Sequence, residues 1–172
     1  MHIHKLEKFW IGLSLFLIAG FIASVIVGFT VLDLRVIGEQ KPVDPAKLGE
    51  TPFGNPGVRK VVENGETTYK VYVLARQFLY QPGTGTPITV PTDTKVTFYL
   101  TSPDVMHGFE VVGTNLNTMV IPGQVAKFTT VFHEAKTYGI LCNEYCGAAH
   151  HAMEGQLKVV PKSQFDEKNL VQ

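Results

Sequence analysis

The chain carries no net charge, few cysteines and a single long apolar run. Its 15 Lys and Arg balance its 15 Asp and Glu, so no basic face indicates a nucleic-acid partner. It has no Cys-x-x-Cys-His sequence, which excludes haem attachment of that type. One apolar run, rather than a row of them, excludes a domain built from many transmembrane helices. Few sites for chemistry remain, and both cysteines of the chain lie in one of them.

This site is the segment Cys142-Asn-Glu-Tyr-Cys-Gly-Ala-Ala-His-His-Ala-Met153. Its candidate metal ligands are Cys142, Cys146, His150 and Met153. Thiolate and thioether sulfur favour copper, and imidazole suits copper as well. The residue types therefore indicate a site for a soft metal ion.

Three other interpretations of the segment remain open from the residues alone. Two cysteines four positions apart in an exported domain can form a disulfide, or bind zinc together with two histidines. The thioether of Met153 argues against zinc, which seldom binds methionine. A membrane-anchored copper chaperone or thiol oxidoreductase of the thioredoxin fold also carries Cys-x3-Cys and a histidine. That fold requires βαβ helices, which the pattern does not predict.

A second histidine determines which kind of copper site the chain can form. His107 lies in a Ser-Pro-Asp-Val-Met-His-Gly turn between apolar segments, and it can fold back onto the cysteine segment. The resulting set has one thiolate more than a mononuclear blue-copper site needs. Two bridging thiolates can hold two copper ions, each with one terminal histidine. Met153 and a backbone carbonyl between the cysteines then suit the two axial positions, an arrangement that favours electron transfer.

The apolar run extends from Phe9 to Leu32 and is long enough to cross a bilayer as a helix. Lys5 and Lys8 precede it, and this bias favours a cytoplasmic N-terminus in the cell membrane. The rest of the chain, on the outer or periplasmic side, has the size of one ordinary domain.

The outer part of the chain shows the alternation typical of strands. Strands are predicted at 68–74, 95–100, 109–112, 118–121, 125–132, 137–142 and 156–160. We therefore predict an all-β, cupredoxin-like Greek-key barrel or sandwich, preceded by one transmembrane α-helix. The predicted divisions are 1–37 for the N-terminal segment and anchor, 38–66 for a linker and the segment leading into the domain, 67–161 for the copper domain, and 162–172 for the tail.

The run Cys142-x-Glu144-x-Cys146-Gly147-x-x-His150-x-x-Met153 resembles the dinuclear copper A signature of subunit II of haem–copper cytochrome c oxidases. The flanking sequences Thr101-Ser-Pro-Asp-Val-Met-His107-Gly-Phe, Gly113-Thr-Asn and Pro122-Gly123 resemble that family too. A single N-terminal span is similar to the B-type members. The resemblance covers nearly the whole chain, from the anchor to about Pro161.

The resemblance implies particular roles for these residues. The copper ligands would be His107, Cys142, Cys146, His150, Met153 and the main-chain carbonyl of Glu144. The Glu144 side chain would be a candidate ligand for Mg²⁺ at the boundary with the haem subunit. Phe78 and Tyr80 match an aromatic patch where electrons enter the protein, although a core position is the better interpretation of Tyr80.

The resemblance further implies a function. The chain would be the copper A subunit of a respiratory terminal oxidase, an oxidoreductase. It would receive electrons from cytochrome c or a small copper protein and pass them to a haem in catalytic subunit I, where oxygen is reduced to water. By itself it would be an electron carrier. A copper A subunit of a nitric oxide reductase is the alternative that keeps the copper site.

Overall fold

The computed structural model describes residues 4–31, 42–63 and 65–171. The chain divides into two compact units, Met1–Val36 and Ile37–Gln172. Helix α1 (Lys5–Thr30) forms the described part of the first unit. It begins with a capping box, in which His4 Nδ1 accepts a hydrogen bond from Leu6 N and the Glu7 carboxylate accepts one from His4 N. Both interactions satisfy polar groups that a helix start leaves unpaired.

Apolar side chains lie on several faces of α1. Phe9, Trp10 and Ile11 are each more than half exposed. Consecutive helical residues point about 100° apart, so these three side chains cover different faces. The segment Lys5–Gly28 contains a stretch of 18 residues with a mean hydropathy of 2.5, and it is long and apolar enough to cross a membrane. The predicted span is thus helical from Phe9 to Thr30; Val31 caps the helix, and Leu32 lies outside the described residues.

The second unit consists of two β-sheets. Its described strands are β1 (Gly57–Glu63), β2 (Glu66–Arg76), β3 (Leu79–Gln81), β4 (Ile88–Pro91), β5 (Lys95–Thr101), β6 (His107–Val111), β7 (Asn117–Val120), β8 (Ala126–Val131), β9 (Thr137–Leu141) and β10 (Glu154–Val160). One sheet has the order β1-β2-β5-β8, with β3 paired to β2, and the other has the order β4-β10-β9-β6-β7. Pairs β2·β5 and β4·β10 are parallel, and the other pairs are antiparallel.

Aromatic rings fill the space between the sheets. Phe98 is fully buried; it stacks on Phe128 at a centroid distance of 4.9 Å and contacts Phe109 and Phe132. These rings join strands from both sheets, and each such pair contributes about 1 kcal/mol beyond its buried area. The core therefore provides a rigid base for the loops at the ends of the strands.

Strand pairing brings the candidate ligands to one end of this unit. β6 runs antiparallel to β9, with Glu110 opposite Leu141. The start of β6, His107, therefore lies beside the end of β9, where the segment of Cys142 begins. That segment ends at β10, which is antiparallel to β9. His107 and the cysteine segment thus meet because of the register of three neighbouring strands.

Parts of the unit differ from the sequence prediction. The segment expected to be a linker and a lead into the domain contains β1, which pairs with β2 along its whole length. Strands β3 and β4 were not predicted. They are only three and four residues long, and prolines stand at or beside the ends of both, so the alternation is too short to detect. The expected tail is packed against the domain: Val171 N donates to Val58 O, and Phe165 packs edge-to-face on Tyr69.

Candidate metal centre

The described donor atoms of His107, Cys142 and Cys146 all lie within 4.8 Å of one another. All three residues are buried. The two Sγ atoms are 3.7 Å apart, and both cysteines are free rather than joined in a disulfide. Two thiols and an imidazole therefore point into one small space shielded from water.

One ring nitrogen of His107 is already held by the protein. Its Nε2 lies 2.8 Å from the Oδ1 atom of Asp104, whereas its Nδ1 is buried with no hydrogen-bond partner among the described residues. A buried nitrogen without a partner is costly unless it binds something. A carboxylate on the second nitrogen is the usual way in which proteins orient a metal-binding histidine. The orientation of His107 therefore suits binding of a metal ion through Nδ1.

The environment of Asp104 keeps its carboxylate ionised. Burial raises the pKa of this carboxyl, but hydrogen bonds from His107, the backbone N–H groups of Gln77 and Val105, and Ser102 outweigh that effect. The pKa consequently lies below its ordinary value. The charge favours a hydrogen bond donated by His107 Nε2 and leaves Nδ1 as the acceptor.

The remaining candidate ligands surround Cys146 and Cys142. Met153 Sδ lies 3.7 Å and His150 Nδ1 lies 3.6 Å from Cys146 Sγ. The main-chain oxygen of Glu144 lies 3.2 Å from Cys142 Sγ. Met153 is buried, while His150 is half-buried and contacts the exposed ring of Tyr145. The structure thus brings together all six groups that the sequence analysis singled out.

These donors fit copper. Two thiols, two imidazoles and one thioether form a soft ligand set, and each cysteine has a different neutral donor beside it. Burial, followed by the adjacent Cys142, raises the pKa of the Cys146 thiol to about 11. Without metal this thiol therefore keeps its proton at neutral pH, and a bound ion must displace it.

Gly108 allows the loop to approach this closely, and sequence reasoning did not identify it. A Cβ atom at this position would overlap the side-chain oxygen of Asn143 and would lie 2.6 Å from Asn143 N. The Gly108 N–H donates to Cys142 Sγ at 3.4 Å. No spacing rule reveals such a contact, because it depends on a strand and a loop that are distant in sequence.

Comparison with known proteins gives the family. A family model described as cytochrome c oxidase subunit II, periplasmic domain, matches residues 65–160. The chain belongs to the cytochrome c oxidase subunit II family. It is 41% identical to a cytochrome c oxidase subunit 2 of Thermus thermophilus over 156 residues, which is 89% of this chain and 90% of that protein.

Solved structures agree with this membership. A chain of a haem–copper terminal oxidase dimer is 29% identical, and the match covers 91% of this chain and all of that one with a TM-score of 0.71. The periplasmic domain of subunit II from Bradyrhizobium japonicum is 17% identical, with a TM-score of 0.51 over 55% of this chain and 86% of that one. The latter match concerns the fold alone and confirms the predicted cupredoxin-like domain.

Membership in the subunit II family fixes several coarser properties. The chain is a component of an oxidoreductase complex, a haem–copper oxidase, and so has a catalytic-subunit partner. It is anchored in a membrane and carries a periplasmic domain. The subunit II family is associated with copper, and the buried cluster of His107, Cys142 and Cys146 provides a place for it.

The two aromatic residues expected where electrons enter occupy different environments. Phe78 is half-buried and packs against the core next to Gly147. Tyr80 is fully buried, its hydroxyl donates to Gly108 O at 2.5 Å, and its ring packs edge-to-face on Phe109. Tyr80 thus has the contacts of a core residue, and its hydroxyl holds the backbone beside His107. A role of either ring in electron uptake stays a prediction.

We expect Gly108→Ala to disrupt the metal centre of this subunit II, because the new methyl group collides with the backbone of Asn143. Overpacking against backbone should cost about 3 kcal/mol in the free energy of unfolding. Thermal unfolding and copper content of the full chain in detergent measure both effects. Gly139→Ala is the control, since a Cβ there makes only an ordinary contact with Val112 at 3.6 Å. Equal behaviour of the two variants would contradict the close approach at Gly108.

Proposed function

We propose that this chain is the copper A electron-transfer subunit of a respiratory terminal oxidase. Electrons would come from cytochrome c or a small copper protein and pass to a haem of the catalytic subunit, where oxygen is reduced to water. The observation that carries the proposal is the convergence of His107, Cys142 and Cys146 within 4.8 Å in a buried site. Subunit II membership supplies the oxidase context.

The position of each candidate ligand indicates the role that it would have. Cys142 Sγ, Cys146 Sγ, His107 Nδ1 and His150 Nδ1 would hold the copper as its strong ligands. Met153 Sδ and the Glu144 carbonyl would be weaker donors to it. When bound, a copper pair with shared thiolates supplies a one-electron carrier whose charge is spread over both ions.

The protein would keep this carrier rigid and dry. Asp104 fixes the ring of His107, and the register of β6, β9 and β10 fixes the two ends of the cysteine segment. Ligands held in one geometry need not move when the charge changes, so electron uptake and release stay fast. Burial of Cys142, Cys146 and Met153 excludes water from the donors.

Two features extend the proposal to the complex. The Glu144 side chain is half-buried while its carbonyl faces the cysteines, so its carboxylate is directed elsewhere and could supply one oxygen ligand to Mg²⁺ at the subunit boundary. The lysines at the start of α1 support a cytoplasmic N-terminus, with the copper domain on the outer side.

Copper quantitation with electron paramagnetic resonance on the full chain in detergent tests the proposal. We expect two copper ions per chain and one unpaired electron shared equally between them. The same measurements on the zinc-loaded chain should show no redox-active signal. The chain should also retain zinc less tightly than copper, because Met153 contributes little to zinc binding. One copper ion per chain with an electron confined to it would contradict the dinuclear assignment.

A further inference from the structure

The turn between β2 and β3 contacts both parts of the metal centre through one residue. The backbone N–H of Gln77 donates to Asp104 Oδ2 at 2.9 Å. Its side-chain Nε2 donates to the carbonyl oxygen of Cys146 at 2.6 Å. The other carboxylate oxygen of Asp104 holds His107 Nε2. Gln77 therefore joins Asp104, which holds His107, to the segment that carries the other candidate ligands.

Topology explains why this turn reaches the site. β2 and β5 are parallel, with Leu74 opposite Thr101, so the two strands end at the same edge of the domain, where their following loops lie side by side. The turn after β2 consequently lies beside the loop after β5, which contains Asp104. The two hydrogen bonds of Gln77 follow from this arrangement of strand ends.

The cysteine segment leaves room for Gln77. Gly147 has φ +131°, a conformation that favours glycine. A Cβ atom at Gly147 would lie 2.8 Å from Gln77 Nε2 and 3.1 Å from Phe78 Cε1. The absence of a side chain at Gly147 therefore leaves the space in which the side-chain amide of Gln77 approaches the backbone of the cysteine segment.

We propose that Gln77 is a positioning residue, which fixes the Cys146 backbone relative to the Asp104–His107 pair and thereby tunes the affinity and reduction potential of the bound copper. The copper effects rest on the proposed function. The donated N–H directs its positive end toward Cys146, and an added electron makes the centre more negative. The amide therefore favours the reduced state, and its removal should lower the reduction potential.

The variant Gln77→Ala removes the side-chain donor and keeps the backbone N–H to Asp104. In the full chain in detergent we expect two bound copper ions, a lower reduction potential and about tenfold faster loss of copper to a chelator. Gln77→Glu keeps the length of the side chain but replaces the donor with oxygen, so it should show the same shifts. The control is Gln81→Ala, which changes an exposed residue of the same hairpin and should match the native chain.

A readout without metal separates this proposal from the proposed function. In the copper-free chain, alkylation of Cys146 relative to Cys142, followed by mass spectrometry, should accelerate in both Gln77 variants. A native chain that binds no copper pair would refute the proposed function, while a change in alkylation would still support the link between Gln77 and Cys146. The positioning role is overturned if both Gln77 variants equal Gln81→Ala in potential, copper loss and alkylation. If circular dichroism showed that Gln77→Ala alone is unfolded, the three measurements on Gln77→Glu would decide whether Gln77 has the positioning role.

Discussion

Replacing either cysteine with serine should abolish the shared-electron signal of the copper centre. Cys142 and Cys146 lie 3.7 Å apart at their sulfurs, and each would bridge both ions, so losing one removes the path over which the electron is shared. A hydroxyl oxygen is also a poor ligand for a soft ion. We expect Cys142→Ser and Cys146→Ser to bind one copper ion or none. Metal analysis and electron paramagnetic resonance of the full chain measure this result.

A serine elsewhere on the segment provides the control for these variants. Ala148 is exposed and contributes no candidate ligand atom, so Ala148→Ser adds the same hydroxyl without changing the donors. It should keep both copper ions and the shared signal. The bridging assignment would fail if a cysteine variant retained two ions and an equally shared electron.

Loss of a terminal ligand should affect the centre far more than loss of the axial thioether. His107 is fully buried, and its Nδ1 has no partner in the part of the chain that the structure describes, so His107→Ala removes a strong ligand that water cannot readily replace. We expect this variant to lose its copper. Met153→Leu conserves volume and removes only a weak donor, so copper should stay while the reduction potential shifts and electron transfer to the haem slows.

The two variants are compared by copper content, potentiometric titration and stopped-flow reduction. Met119→Leu is the matched control, because Met119 is half exposed on β7 and lies outside the ligand set. It should leave all three measurements unchanged. An empty site in Met153→Leu combined with a filled one in His107→Ala would reverse the assignment of strong and weak ligands.

Several elements could be predicted from the sequence because their signals are local. The helix α1 follows from an uninterrupted apolar run, and β2 and β5 follow from the alternation at 68–74 and 95–100. The donors Cys142, Cys146, His150 and Met153 are grouped by spacing alone. Their chemistry already favoured copper over zinc, because a thioether stands among them.

Other elements gave no local signal. β4 is four residues long and ends at Pro91, and it is a strand because it pairs in parallel with β10, which lies far along the chain. β1 has charged residues in its middle, and the pairing with β2 makes it part of the sheet. Short or mixed segments take their structure from their neighbours rather than from their own pattern.

The sequence by itself determined the anchor, the all-β character of the domain and the grouping of the candidate ligands on the cysteine segment. Each of these depends on local residue composition or on the periodicity of apolar residues within a short segment. Only the tertiary structure decided that Asp104 orients His107, that Gly108 admits the backbone of Asn143, and that Gln77 bonds to Cys146. The Asp104–His107 contact lies within a single turn, where the shape of the backbone aligns the two side chains. The contacts of Gly108 and Gln77 join segments that are distant in sequence, and strand register, which spacing along the chain does not specify, sets their distances.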